Sequence, residues 1–144
     1  MTLCNYLYFQ NQLTLKKNPP LFFLADDDED DRMLFVEALT EINPAIKCVM
    51  AKNGKEALLI LQNDLFELPD YIFLDLNMPI MNGLNCLIEI KKTAVLKHIP
   101  VVLYSTSAEK EFTDASKKLG AMDFFVKPSN FSGLLKYLKK ILGN

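Results

Sequence analysis

Leu21-Phe22-Phe23-Leu24-Ala25-Asp26-Asp27-Asp28-Glu29-Asp30-Asp31 is the stretch on which the reading of this chain turns. Five apolar residues run without a break into six acids. The apolar run is too short for a helix and suits a strand buried on both faces. Beyond the acids, Phe35, Ala38, Leu39 and Ile42 follow the i, i+3, i+4, i+7 spacing of an amphipathic helix. A strand that feeds directly into a helix is half of a βα repeat.

The same alternation continues outward. Ile46–Ala51, Tyr71–Leu74, Val101–Tyr104 and Met122–Val126 are four further short apolar runs, each predicting a strand buried on both faces. Helical spacing separates or follows them: Ala57, Leu58 and Leu61; Leu84, Leu87 and Ile88; Phe112, Ala115 and Leu119; then Phe131, Leu134, Leu135, Leu138 and Leu142. Asn53-Gly54 and Asn82-Gly83 mark turns or helix starts, Gly120 a helix end, and Pro100 a strand start. The pattern predicts an α/β fold, (βα)5, with one doubly wound parallel sheet and helices on both faces. In such sheets ligands bind outside the carboxyl ends of the strands, near the topological switch point.

Composition agrees with a single globular domain. The chain has 144 residues, 50% hydrophobic and 24% charged, enough to bury roughly two-thirds of the unfolded surface. Residues 1–18 show no clear period and end in Pro19-Pro20; they are read as an N-terminal extension, with the folded domain over 20–143. No apolar run approaches the roughly 18 residues of a membrane span, and no secretory leader is recognisable. Cys4, Cys48 and Cys86 are odd in number and widely spaced, the usage of free thiols in a reducing, cytoplasmic setting. The net charge of −2 argues against a nucleic-acid surface, and no membrane partner is expected. Charge is unevenly spread: residues 1–75 carry 13 acids and 6 bases, residues 76–144 carry 5 acids and 10 bases.

The carboxyl ends of the predicted strands collect chemistry. The first strand runs into Asp26 and Asp27, the third into Asp75, the fourth into Ser105-Thr106 and the fifth into Lys127-Pro128. In a parallel sheet these meet at one edge. Two carboxylates ~5 Å apart repel by about 3 kcal/mol at an effective dielectric near 20, so the group predicts a hard cation. Mg²⁺ suits it, because it takes one or two carboxylates, keeps waters and coordinates phosphate oxygens. A carboxylate beside such a cation can attack phosphorus and form an aspartyl phosphate, with a lysine adding charge neutralisation.

With these residues in place the sequence resembles the receiver domain of two-component response regulators. The resemblance rests on Phe22–Asp28, Ala51–Leu58, Asp75-Leu76-Asn77-Met78-Pro79-Ile80-Met81-Asn82-Gly83, Ser105 and Leu119–Pro128, in order, over about residues 20–143. It implies a flavodoxin-like sheet of strand order 2-1-3-4-5 and a phosphorelay role. It implies that Asp75 is the phosphoacceptor, that Asp27 ligates Mg²⁺ directly and Asp26 through water or from close by, and that Asn77 adds its backbone carbonyl. Ser105 takes the place of the hydroxyl that follows the phosphoryl group, Lys127 pairs with phosphoryl oxygens, and Phe124 holds the aromatic switch position. The implied donor is a histidine kinase or a histidine phosphotransfer protein. Output is expected through contacts of the helix 4, strand 5 and helix 5 face with an unidentified downstream protein, or by onward relay, because the chain stops at Asn144 just after the last helical pattern.

Plainer readings stand beside these. Asp28–Asp31 are read as first-turn acids that cap helix 1 and complement its dipole. Ser105, within Ser105-Thr106-Ser107, could serve as a helix cap, and Phe124 as a core residue. His98 is read as a surface loop residue, Lys136, Lys139 and Lys140 as a solvated face, and Met78 and Met81 as packing. A Mg²⁺-dependent aspartyl-phosphate phosphohydrolase is the alternative function. It would need an acid two residues after Asp75, where Asn77 stands, so the expectation is a self-phosphorylating and self-dephosphorylating switch rather than an enzyme. A flavodoxin-like cofactor binder would need a phosphate cradle where Asp26–Asp31 repel phosphate.

Overall fold

The computed structural model describes residues 19–143. The extension expected over residues 1–18, with Cys4, lies outside the described residues. Five strands, β1 (Leu21–Ala25), β2 (Lys47–Ala51), β3 (Tyr71–Asp75), β4 (Val101–Ser105) and β5 (Asp123–Val126), alternate with five helices. These are α1 (Glu29–Ile42), α2 (Gly54–Leu61), α3 (Gly83–Lys92), α4 (Lys110–Lys118) and α5 (Phe131–Ile141). The sheet is parallel throughout and ordered β2-β1-β3-β4-β5. Register brings the carboxyl ends level: Ala25 pairs with Ala51 and Leu74, Asp75 with Tyr104, and Ser105 with Val126.

Strand alternation divides the core in two. Phe23, Ala25, Ile72, Leu74, Val101 and Leu103 face α2 and α3, where Ala57, Leu61, Cys86, Leu87 and Ile90 complete an aliphatic layer. Phe22, Leu24, Phe73, Val102 and Tyr104 face α1 and α5 with Phe35, Ala38, Leu39 and Leu138. That second layer is aromatic: Phe73 packs edge-on to Phe35 with centroids 4.9 Å apart, and Phe125 stacks on Tyr137 at 3.7 Å. On α3 the fully buried side chains are Cys86, Leu87 and Ile90, with Leu84 and Ile88 at the margin, so the buried stripe is rotated from the one the spacing suggested.

The expectation that all five strands are buried on both faces holds for β1, β3 and β4 and fails for β2 and β5. These two edge strands have exposed or half-buried residues at nearly every position, Ala51 excepted. An edge strand has one neighbour, and its outer side is left to solvent. The turn residues behave as read. Asn53 and Asn82 each cap the following helix with their side-chain oxygen, and Gly120 takes a φ of +92° after α4; Asn130, not singled out in the sequence, caps α5 in the same way. His98 and the α5 lysines Lys136, Lys139 and Lys140 are exposed, whereas Met78 is buried and Met81 half-buried. No helix among the described residues is long and apolar enough to cross a membrane.

Candidate functional site

Asp26 directly follows β1 and Asp75 is the last residue of β3, so neighbouring parallel strands deliver their carboxylates to the same edge. Both residues are buried, at 0% and 5% exposure. Asp27, next in the chain, is exposed, and oxygens of Asp26, Asp27 and Asp75 lie within 4.8 Å of one another, a set able to hold a hard cation. The sequence expectation that these three meet is therefore matched by their placement.

The fifth strand brings the counter-charge. Lys127 Nζ lies 3.1 Å from Asp26 Oδ2, 3.1 Å from Asp75 Oδ2 and 2.8 Å from Asp31 Oδ2. One ammonium thus serves three carboxylates, with Asp27 as a fourth close by. Burial would lower the proton affinity of Lys127, but the hydrogen bond to Asp31 and the charges of Asp26 and Asp75 outweigh it and push its pKa up. For Asp75 the balance runs the other way. Burial raises its pKa, Lys127 lowers it, Asp26 raises it again, and the result is about 7. At Asp75 burial outweighs the shared ammonium.

Asp26 is held on all sides: its Oδ1 accepts from the Asp28 amide at 2.9 Å, its carbonyl oxygen accepts from Arg32 Nη1 at 2.8 Å, and its Oδ2 accepts from the Tyr104 hydroxyl as well as Lys127. On the other side of Asp75, the Asn77 amide donates to Asp75 Oδ1 at 3.1 Å and Asn77 Nδ2 to Ser105 Oγ at 3.4 Å. Ser105 is a buried strand residue whose Oγ accepts from the Ser107 amide at 3.4 Å; the N-cap of α4 is Glu109, so Ser105 does not cap that helix. Phe124 is half-buried, pairs with Leu103 and packs against the aliphatic layer.

Two backbone features fix the loop between β3 and α3. Gly83 sits so close to the carbonyl of Asp75 that a Cβ there would collide with it, which lets α3 begin directly under the site. Ile80 has a φ of +69°, and the Met81 amide donates to the Pro79 carbonyl at 2.8 Å, forming a γ-turn centred on Ile80. A β-branched residue in that region costs roughly 1–3 kcal/mol.

Asp31 and Tyr104 belong to the site and were not singled out in the sequence. Asp28 does cap α1, accepting from the Asp31 amide at 3.1 Å. Asp31, however, turns its carboxylate to Lys127 and does more than complement a dipole. The signal was present, because Asp31 lies four residues before Phe35 and so continues the buried stripe Phe35, Ala38, Leu39. An acid in line with an apolar face is aimed at a partner. Tyr104 shares the strand face of Val102 and brings the one hydroxyl on that face of β4 to the strand end.

The family model of the response regulator receiver domain matches residues 22–139. The chain belongs to this family. As a receiver it is 31% identical over 131 residues to the response regulator Rcp1 of Synechocystis, covering 88% of this chain and 89% of Rcp1. The structure of the phosphorylated cyanobacterial phytochrome response regulator RcpA superimposes with a TM-score of 0.77 at 34% identity, covering 85% of this chain and 90% of that one. Chemotaxis protein CheY4 of Vibrio cholerae gives 0.72 at 28% identity, over 85% and 98% of the two chains. Some relatives are enzymes: a protein-glutamate methylesterase of Rhodospirillum rubrum is 39% identical over 107 residues, which span 27% of that protein. The receiver assignment and the flavodoxin-like sheet implied by the sequence are thus established, and a free-standing phosphohydrolase is not favoured.

Proposed function

We propose that this receiver is a phosphorylation-driven switch whose acceptor is Asp75. The observation that carries the reading is the sharing of Lys127 between Asp26, Asp31 and Asp75 in a cluster that still holds excess negative charge. The all-oxygen donor set fits a hard divalent cation. Asp27 and Asp75 would hold Mg²⁺ directly, Asp26 through water or from close by, and Asn77 by its carbonyl. When bound, the cation supplies charge neutralisation and orients the phosphoryl oxygens. A relative supports this, since Rcp1, 31% identical with a TM-score of 0.77, has been crystallised in a Mn²⁺-bound form.

In the transfer, a carboxylate oxygen of Asp75 attacks phosphorus. An O–P bond forms, the P–N bond of the phosphohistidine donor breaks, and its electron pair leaves on the imidazole, which takes up a proton. Lys127 neutralises charge on the arriving phosphoryl oxygens and Ser105 donates to one of them. Hydrolysis reverses the state when water attacks the same phosphorus. A histidine kinase or histidine phosphotransfer protein is the donor in this reading, and Phe124 responds to Ser105 at the output face. The folded unit is taken as 20–143, cytoplasmic, with protein contacts rather than catalysis on outside substrates as its output.

The test is intact mass after incubation with Mg²⁺ and acetyl phosphate. Wild-type protein is expected to gain one phosphoryl group, about 80 Da for the group, only with Mg²⁺. Asp75→Asn is expected to gain none. A gain that persists in Asp75→Asn would overturn the assignment.

A further inference from the structure

Tyr104 is buried, stands beside Asp75 across the β3–β4 pair, and is not part of the acceptor chemistry above. Its hydroxyl donates to Asp26 Oδ2, and its ring lies under Lys127, with Nζ 4.6 Å from the centroid. The ring is itself fixed edge-on against Phe73, with centroids 6.4 Å apart. The side chain therefore touches both a carboxylate of the acidic cluster and the ammonium that serves it. We propose that Tyr104 is a positioning residue for the metal and phosphoryl site, holding Asp26 in place and keeping Lys127 shared rather than locked onto Asp26. The proposal rests on the reading of Asp26, Asp27 and Asp75 as a cation site.

The physical case is one of competition. Asp26 Oδ2 has two donors, Tyr104 and Lys127, while Oδ1 has the Asp28 amide. Without the tyrosine hydroxyl, Oδ2 would depend on Lys127 alone, and a buried carboxylate with one charged donor closes on it. A cation would then have to break that tighter pair before using Asp26. The hydroxyl lets Lys127 leave for a phosphoryl group on Asp75 without stranding a buried carboxylate. The aromatic face gives the ammonium a second attraction that does not consume a carboxylate oxygen.

Four proteins test this: wild type, Tyr104→Phe, Tyr104→Leu and Asp27→Asn. Mn²⁺ binding is read from the free-ion EPR signal, and Mg²⁺ dependence from phosphoryl incorporation with acetyl phosphate. Tyr104→Phe keeps the ring and is expected to weaken Mn²⁺ binding 3- to 10-fold, raising half-saturating Mg²⁺ by more than it lowers the saturating rate. Tyr104→Leu also loses the ring contact with Lys127 and is expected to lower the saturating rate a further 5-fold or more. A mere packing role predicts the reverse, with Tyr104→Phe binding Mn²⁺ within 2-fold of wild type, and that result overturns the proposal. Asp27→Asn separates the premise from the inference. At least 10-fold weaker Mn²⁺ binding there supports the cation site, and unchanged binding removes the site and the proposal with it.

Discussion

Asp70 and Asp75 flank the same strand, one just before β3 and one at its end, and their carboxylates do opposite work. At the amino edge Asp70 Oδ2 accepts the first amide of β1, that of Leu21, at 2.7 Å, and the Asp70 amide returns a bond to the Leu21 carbonyl at 2.8 Å. The side chain completes a ladder that would otherwise start with a free N–H. At the carboxyl edge Asp75 is buried beside Asp26 and shares one ammonium with two other acids. There burial outweighs the pull of Lys127, with Asp26 adding to it, and pushes the carboxyl up to about 7. One residue type, five positions apart, is structural at one end and chemically loaded at the other because of what the neighbouring strands place beside it.

Stability should separate the two most sharply. The folded-state pKa of Asp75 is raised from 3.8 to about 7, so the folded metal-free protein binds this proton more tightly than the unfolded chain. The resulting stabilisation is complete below the ordinary carboxylate range and is lost as pH rises through about 7. Asp75→Asn removes the penalty and is expected to be more stable than wild type at pH 8 in EDTA, by up to about 4 kcal/mol at 1.36 kcal/mol per pKa unit. The gap should narrow toward pH 5. Asp70→Ala is expected to lose about 1–2 kcal/mol, the cost of an unsatisfied partner amide, at either pH. Urea unfolding at both pH values checks this, and substitutions that shift stability the same way would break the comparison.

Metal binding sharpens it further. A proton on Asp75 and a divalent cation compete for the same oxygen, so affinity for Mg²⁺ should fall about tenfold per pH unit below about 7. Calorimetric titration with Mg²⁺ between pH 5.5 and 8 reads the slope. Asp70→Ala should keep the slope of wild type, because its carboxylate lies at the opposite edge of the sheet from the acidic cluster. A wild-type affinity independent of pH would mean that Asp75 is ionised throughout and that Lys127 neutralises it after all.

How much of this could be read from the sequence depends on how local each feature is. The βα alternation and the strand-end acids are local, since Leu24-Ala25-Asp26-Asp27 and Phe73-Leu74-Asp75 each announce a strand and its exit. Asn53, Asn82 and Gly120 could be read because caps and turns are chosen by residues next to them in the chain. The edge position of β2 and β5 came only with the strand order that the family resemblance implied, since a short apolar run by itself looks the same whether one neighbour covers it or two. Tyr104 and Asp31 are non-local in the same sense. Tyr104 meets Asp26 across 78 positions and Asp31 meets Lys127 across 96, contacts that exist only once strand order and face are known. Asp31 was hidden further by its five acidic neighbours, which make a helix-dipole account sufficient until the position is aligned with Phe35.

The smallest expected effect tests whether the cluster responds to charge placed locally or to the charge of the whole chain. Asp31→Asn removes a carboxylate 2.8 Å from Lys127, on a side chain 36% exposed. A pair that open to solvent contributes little to stability, at most about 1 kcal/mol. It still subtracts one negative charge from the cation's surroundings and frees the ammonium to settle on Asp26 and Asp75. Mg²⁺ affinity is expected to fall two- to threefold. Asp70→Asn subtracts the same charge from the far edge. Five residues of parallel strand separate it from the site, ~16 Å at 3.3 Å per residue, which exceeds the screening length of about 8 Å at physiological salt. Its effect on Mg²⁺ affinity should stay below 1.5-fold in 0.15 M salt, and rise when salt is lowered to 0.01 M, where screening extends to about 30 Å. Equal effects of the two substitutions at 0.15 M would show that the cation senses net charge, and the distinction between the two ends of β3 would then rest on burial alone.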